Sequence, residues 1–484
     1  MSETVYLRNN FAKLEKAKET SQNTVPKIQK VASYLRDREH SKKHYLPRLV
    51  SIGLIDHGKR KLELGEKYKL MWTAKYLERT KQDGQTLYQK IASNIKQLKE
   101  HFAEDVIKDF DGDDEKLSWT LFVDGCSLLQ ILEKANPYDP KEMNVKVDQL
   151  LLVWQDVLLL ENQLPYEVLL LLSGHQNDDT LLKSMNKFLE YHHLTPKQTE
   201  NTHATNKSKK NEDRNRRKKD SLSQKHIIDI IRKEPPFHLL DQFRRCIVGD
   251  KIDIRKESPF HLLDQLRRYI VGDAQKEPQD QKGDAENGER DGKKNKDLDT
   301  TYRNIEDLRA AGIKLKVEES RELKAISFRY RWMRLRAELT LPKIIVDDTI
   351  ATSFHNLVAY EMCPDFENNF EISSFVTFMD SLIDHPEDVK ELRLAEVLCN
   401  ELGSDEEVAK LFNTISADLV PNCGIYSSVR GQIGRYCKKK YMTWYALAYH
   451  TYFSNPWAFI GFLAAIFALV LTFIQAWFAI HPKC

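Results

Sequence analysis

Between Val147 and Gly174 the chain reads VDQLLLVWQDVLLLENQLPYEVLLLLSG, an apolar run broken by Asp156, Glu161, Asn162 and Gln163 and turned by Pro165. Polar residues in an apolar frame are the best candidates for a site, and chemistry here would need a polar pocket near Asp156, Glu161 and Glu361. Asn356 and Glu361, in the phrase FHNLVAYE, join them as partner-binding or fold-determining positions. The simpler interpretation is that these groups tie off backbone donors and acceptors at a helix break, since a buried polar group needs a partner. Either way the residues need two core helices meeting at an E-N-Q-L-P corner, with Asn162 or Gln163 near the N-terminus of the second. A membrane span is disfavoured there, because its carboxylates would cost several kcal/mol each inside a bilayer.

No other arrangement of residue types points to catalysis. GERDGKK has the wrong spacing for a phosphate-binding loop, H-E-x-x-H and G-x-S-x-G are absent, and the 15 histidines are dispersed. No catalytic, cofactor-binding or metal-ligating residue is assigned, and the expectation is a protein that is not an enzyme. A hydrolase or transferase with a cryptic site near Asp156, Glu161 and Glu361 is the alternative. The seven cysteines are odd in number, scattered and never spaced C-x-x-C, so they read as reduced thiols.

The strongest physical constraint lies at the C-terminus. Trp457 to Ile480, WAFIGFLAAIFALVLTFIQAWFAI, carries no charge and places Trp457 and Trp477 near its two ends. A helix of that length crosses a hydrocarbon core of about 30 Å, and indoles favour the headgroup level. Arg430, Arg435, Lys438, Lys439 and Lys440 precede the span while Lys483 alone follows it. The positive-inside rule then puts the N-terminal bulk in the cytosol of a single-pass protein, with the plasma membrane as the expected site. MSETVYLRNNFAKLEKAKET holds no signal-peptide core, so the arrangement resembles a tail anchor.

Composition and periodicity divide the rest. Residues 1–24 read as a flexible arm. Residues 25–194 form a helical first half, in which VPKIQKVASYLRD gives a short helix, HYLPRLVSIGLIDHG an irregular packed loop, and Leu87, Ile91, Ile95, Leu98 and Phe102 one face of an amphipathic helix. WTLFVDGCSLLQILEKA reads as a buried segment interrupted at Asp124-Gly125. Residues 195–300 form a charged insert expected to be disordered, with too little apolar surface to offset chain entropy. It carries a duplicated short helix, at 232–250 and 255–273, whose copies differ only at Pro235/Ser258, Phe243/Leu266 and Cys246/Tyr269. At least one copy should dock on the core. Its basic tract, Lys207 to Lys219, opens a nucleic-acid-binding alternative that the membrane span makes unfavourable.

Residues 301–453 form the second half. Ile313, Leu315 and Val317, then Ile326, Phe328, Tyr330 and Trp332, then a run from Leu339 to IIV alternate with polar residues, which predicts a small antiparallel sheet. Arg329, Arg331 and Arg336 read as its solvated face. Helical faces follow at Ile350, Phe354, Leu357 and Val358 and at Phe375, Phe378, Met379 and Leu382, with Ser404 and Glu407 capping another. The fold class is therefore mainly α-helical with a small antiparallel β-sheet, a disordered charged insert and one C-terminal transmembrane helix.

VPKIQKV, YLPRLVSIGLIDHGKRKLELGEKYK, FVDGCSLLQIL, DVLLLENQLPYEVL, PFHLLDQFRR, LTLPKIIVDDTIATSFHNLVAYE and SSFVTFMDSLIDHPEDV occur in an order that resembles the plant family of domain of unknown function 247. Leu54, Ile55 and Asp56 stand where that family usually carries P-Y-H, and the duplicated helix and long insert are further departures. The resemblance implies a membrane-anchored plant protein without assigned activity, with a role in self-incompatibility or cell recognition by analogy to some grass members. The expected partners are the lipid bilayer and a protein, with no cofactor.

Overall fold

The computed structural model describes residues 6–8, 10–15, 26–38, 41–110, 112–136, 139–174, 178–195, 235–249, 304–331, 336–366, 369–417, 419–422, 424–438 and 456–480. The expected disorder of the insert, its basic tract, the second helix copy and the basic juncture after Lys438 lie outside them, as does Trp332.

The first half is helical. After the short α1 (Ser33–Arg36) come α2 (Glu63–Thr80), α3 (Gly84–Lys99), the one-turn α4 (Glu104–Ile107), α5 (Asp114–Lys134), α6 (Val147–Asp156), α7 (Tyr166–Ser173) and α8 (Asp178–Leu189). α3 starts where Asp83 accepts from Thr86 N–H, and it buries Leu87, Ile91, Ile95 and Leu98, the stripe read from the sequence. α5 is the axis of this half, packed by α2, α3, α7 and α8. It runs unbroken through Asp124-Gly125, which corrects the interruption expected there. Gly125 is needed for proximity and not for a break, since a Cβ on it would stand 2.4 Å from Leu172 Cδ1 of α7. Asp124 stays helical because its carboxylate has partners outside the helix.

The first repeat copy forms α9 (Leu239–Val248), which docks against α8 and buries Leu240, Phe243 and Ile247. Gly249 ends it at φ +71°, the left-handed conformation that favours glycine.

The second half begins with α10 (Ile305–Ala310), followed by β1 (Ile313–Glu318), β2 (Ser327–Arg331), β3 (Arg336–Pro342) and β4 (Ile344–Val346). Then come α11 (Ile350–Glu361), α12 (Glu371–Asp380), α13 (Pro386–Leu394), β5 (Leu398–Asn400), α14 (Asp405–Ser416), α15 (Ser427–Cys437) and α16 (Pro456–Ile480). The sheet is mixed, not antiparallel as expected. β3 lies in the centre, antiparallel to β2 but parallel to β1, with Leu339 flanked by Leu315 and Phe328. Alternation fixes which face a residue occupies and is silent on neighbours; here the link after β1 carries β2 to the far edge of β3. The third run also splits at Pro342, and β4 pairs in parallel with β5 in a separate ladder. α11, α12 and α14 pack together, α13 lies against β5, and Ser404 Oγ caps α14 by accepting from Glu407 N–H.

Buried apolar residues from Ile28 to Tyr436 form one contiguous core, so the two halves share an interior. α16 carries an 18-residue stretch, Ile460–Trp477, that is long and apolar enough to cross a membrane and is exposed.

The loop at 45–58 has almost no regular structure yet is largely buried, with Val50, Ile52 and Leu54 in the core. α2 can lie across it only because Gly65 has no side chain: a Cβ there would sit 2.0 Å from Leu49 O. Gly65→Ala is expected to cost about 3 kcal/mol in urea unfolding of the detergent-solubilised chain. Gly431→Ala, where nothing stands within 4 Å, should be neutral or stabilising by about 0.5–1 kcal/mol.

Candidate functional site

The polar residues of the E-N-Q-L-P corner meet at one buried junction, where distant parts of the chain are tied together. Asp156, at the end of α6, is 1% exposed. It accepts three backbone N–H bonds from the irregular loop, from Arg48 (2.9 Å), Leu49 (2.7 Å) and Val50 (2.9 Å). Burial pushes its carboxyl above the usual range, opposed by those N–H groups. Asn162 continues the same job: its Oδ1 accepts from Ile52 N–H (2.6 Å) and its amide donates to Val50 O and Asp156 O. Asp124 of α5 accepts from Gly53 N–H at 2.8 Å. A loop without ladder partners thus has the amides of Arg48, Leu49, Val50, Ile52 and Gly53 satisfied by side chains from α5, α6 and the corner.

Glu161 faces the N-terminal segment, accepting from Val31 N–H (2.6 Å) and pairing with the Arg36 guanidinium. Gln163 faces the insert: its amide donates to Val157 O and Leu159 O, and its Oε1 accepts from Leu240 N–H (3.0 Å), capping α9 from outside. Neither Asn162 nor Gln163 caps α7, which starts after Pro165 with no side-chain cap, because both side chains point to other segments. Asn356 of α11 accepts from Leu160 N–H (2.8 Å) and donates to His44 O, joining the second half to the corner.

Glu361 sits apart from this junction in a junction of its own. Its carboxylate accepts from Ile372 N–H, Ser373 N–H and Ser373 Oγ–H, all at 2.9 Å, at the N-terminus of α12, where a negative charge is favoured. Arg244 of α9 completes it, 3.0 Å from Glu361 and 3.0 Å from Glu371, with its guanidinium over the Phe366 ring.

Buried cations escaped the sequence reading, Lys69 and Arg244 among them. Lys69 is fully buried, 2.6 Å from Asp124 and 2.8 Å from Glu66, and these carboxylates hold its ammonium charged although burial works the other way. Its signal was present: Gly65, Lys69, Trp72, Thr73 and Tyr76 share the buried face of α2, a lysine at a core position of a helical stripe. Arg244 could have been found likewise, on the buried face with Leu240, Phe243 and Ile247.

Asp156, Glu161 and Glu361 are each held by the chain's own N–H groups or cations, and the bonds named here share no donor among the three. A cleft of ≈ 170 Å³ lies elsewhere, lined by residues that include Glu133, Lys134, Glu142 and Lys187 and none of the corner residues.

A family model described as a plant protein of unknown function, DUF247, matches residues 28–471. The chain belongs to the DUF247 family. Two UPF0481 proteins of Arabidopsis thaliana are similar to this DUF247 chain. One is 33% identical over 176 residues, 36% of this chain and 36% of its own length. The other is 26% identical over 176 residues, 36% of this chain and 32% of its own length. The match thus spans about a third of the length of these curated relatives. No solved structure matches.

Asp156→Ala in this DUF247 protein leaves three loop N–H groups without an acceptor and should lower unfolding free energy by about 3–5 kcal/mol. The control Asp148→Ala, exposed on the same helix, should stay within about 0.5 kcal/mol. A second expectation concerns His238, which is 2% exposed and caps α9 by accepting from Asp241 N–H through Nδ1 (3.0 Å). Burial holds its pKa down at about 4, against the opposing pull of Asp241. The unfolded chain then binds the extra proton first, so stability is full above about 6.5 and falls as pH drops toward 4, by about 1.4 kcal/mol per unit. Thermal melts across that range should show the loss, and His238→Asn, which keeps a cap without a titrating group, should reduce its slope.

Proposed function

We propose that this DUF247 protein is a membrane-held protein-recognition module that does no chemistry of its own. The observation carrying this reading is that the candidate carboxylates Asp156, Glu161 and Glu361 are held by backbone N–H groups and arginines, the work of fold determinants and not of a substrate site. Support for the membrane comes from α16, whose stretch Ile460–Trp477 is long and apolar enough to span a bilayer and is exposed. The body itself exposes large apolar residues, among them Trp119, Leu151 and Leu394, of the kind that recognition surfaces use. The body lies on the cytosolic face of the plasma membrane, following the lysines and arginines ahead of α16. Its role is in cell recognition of the self-incompatibility kind.

Two measurements test this. Reporters fused at Met1 and Cys484 should place Met1 in the cytosol; the reverse orientation would change the class of partner. Affinity purification of the full chain from detergent extracts of vegetative tissue and pollen should return a specific protein in near-stoichiometric amount. Recovery of no protein above that seen with α16 alone would sink the recognition reading.

A further inference from the structure

A second group of ligand-type side chains lies outside the buried junctions, where three segments far apart in sequence come together at the surface. β4 and β5 run in parallel with Val346 opposite Asn400, so both strands leave their ladder at the same end and set Asp347 beside Glu401. Glu401 N–H donates to Val346 O at 2.8 Å, which fixes that pairing. His193 arrives from the turn after α8, held there by Arg321, which donates to His193 O (3.1 Å), and by the contact of the neighbouring His192 with Ser353 Oγ (2.9 Å). One nitrogen of His193 and one carboxylate oxygen each of Asp347 and Glu401 all lie within 4.8 Å of one another.

The orientation of two of these groups is the telling point. Asp347 is used on one side only: Oδ1 accepts from Thr349 N–H, Thr349 Oγ–H and Ile350 N–H, which aims Oδ2 away from α11 toward His193. His193 Nδ1 is shielded from solvent and lies 3.1 Å from that oxygen, an ion pair when the imidazole is protonated. A nitrogen and a carboxylate oxygen that close pair directly when the imidazole is protonated, and the same two atoms can share a cation when it is neutral. Ligands bound at about 2.1 Å in a tetrahedron stand about 3.4 Å apart, close to this separation. Cys399, two residues before Glu401 on β5, puts its Sγ 4.0 Å from Glu401 Oε1.

We infer that His193, Asp347 and Glu401 bind a divalent transition metal of the zinc class, with three protein ligands and an open fourth position. One imidazole with two carboxylates and a thiol close by suits a borderline-soft ion better than magnesium or calcium, which favour all-oxygen shells. The ion would clamp the turn after α8 to the ends of β4 and β5, joining the two halves of the chain at the surface.

The test uses the full chain in detergent micelles, with zinc alone as the probe. After incubation with zinc sulfate and desalting, elemental analysis should find one zinc per chain lost in His193→Ala and in Glu401→Gln. Titration should show affinity weakened at least about tenfold in each variant, while His203→Ala, in the charged insert, binds as the parent does. Circular dichroism checks that the variants fold; Glu401 is exposed, so Glu401→Gln decides if His193→Ala does not. A parent chain that retains no zinc, or zinc held equally by parent and Glu401→Gln, overturns the assignment.

Discussion

A buried stretch of chain with neither helix nor strand must still satisfy every amide it carries, and the segment from Arg48 to Gly53 is that stretch here. The N–H groups of Arg48, Leu49, Val50, Ile52 and Gly53 end on Asp156, Asn162 and Asp124. Three side chains take the place of a neighbouring strand, and they come from α5, α6 and the corner before α7. Because an unsatisfied buried N–H costs about 1–3 kcal/mol, the packing order of the first half is fixed by where those acceptors stand. Gly53, at φ +83° with a would-be Cβ 2.6 Å from Gln163 O, and Gly65 keep the backbones close enough for the bonds to form.

The internal charges add direction to this. Lys69 with Asp124 and Arg244 with Glu361 are desolvated pairs, which contribute little net stability over an apolar pair but are costly to mispair. Each joins elements distant in sequence: α2 to α5, and α9 to the start of α12 through the end of α11. Such pairs reject alternative packings of helices that are otherwise alike in apolar character.

Much of this was legible in the residues and some was not. Period and caps gave α3, the faces of α11 and α12, and the Ser404 cap, because these depend on nearest neighbours along the chain. The polar residues of the corner stood out because Asp156, Glu161, Asn162 and Gln163 interrupt an apolar run. Their partners did not, since nothing local says that Asn162 reads Ile52 or that Gln163 reads Leu240. Strand order was hidden for the same reason: β1 and β3 are parallel neighbours although β2 lies between them in sequence. The continuity of α5 was masked by Asp124-Gly125, where a helix-breaking pair proved to be one ion-pair partner and one close approach. The family's phrases supplied membership, which no single motif could have done.

α9 reaches the core by way of a cap at each end, His238 before it and Gly249 after it, and by bonds to Gln163 and Glu361. Everything that specifies its seat lies within about a dozen residues, and the entropy of closing a longer connection rises by only about 0.6 kcal/mol per doubling. A longer connection beside α9 therefore costs the fold little, and the tandem copy at 255–273, which repeats all but three residues of 232–250, is such a lengthening.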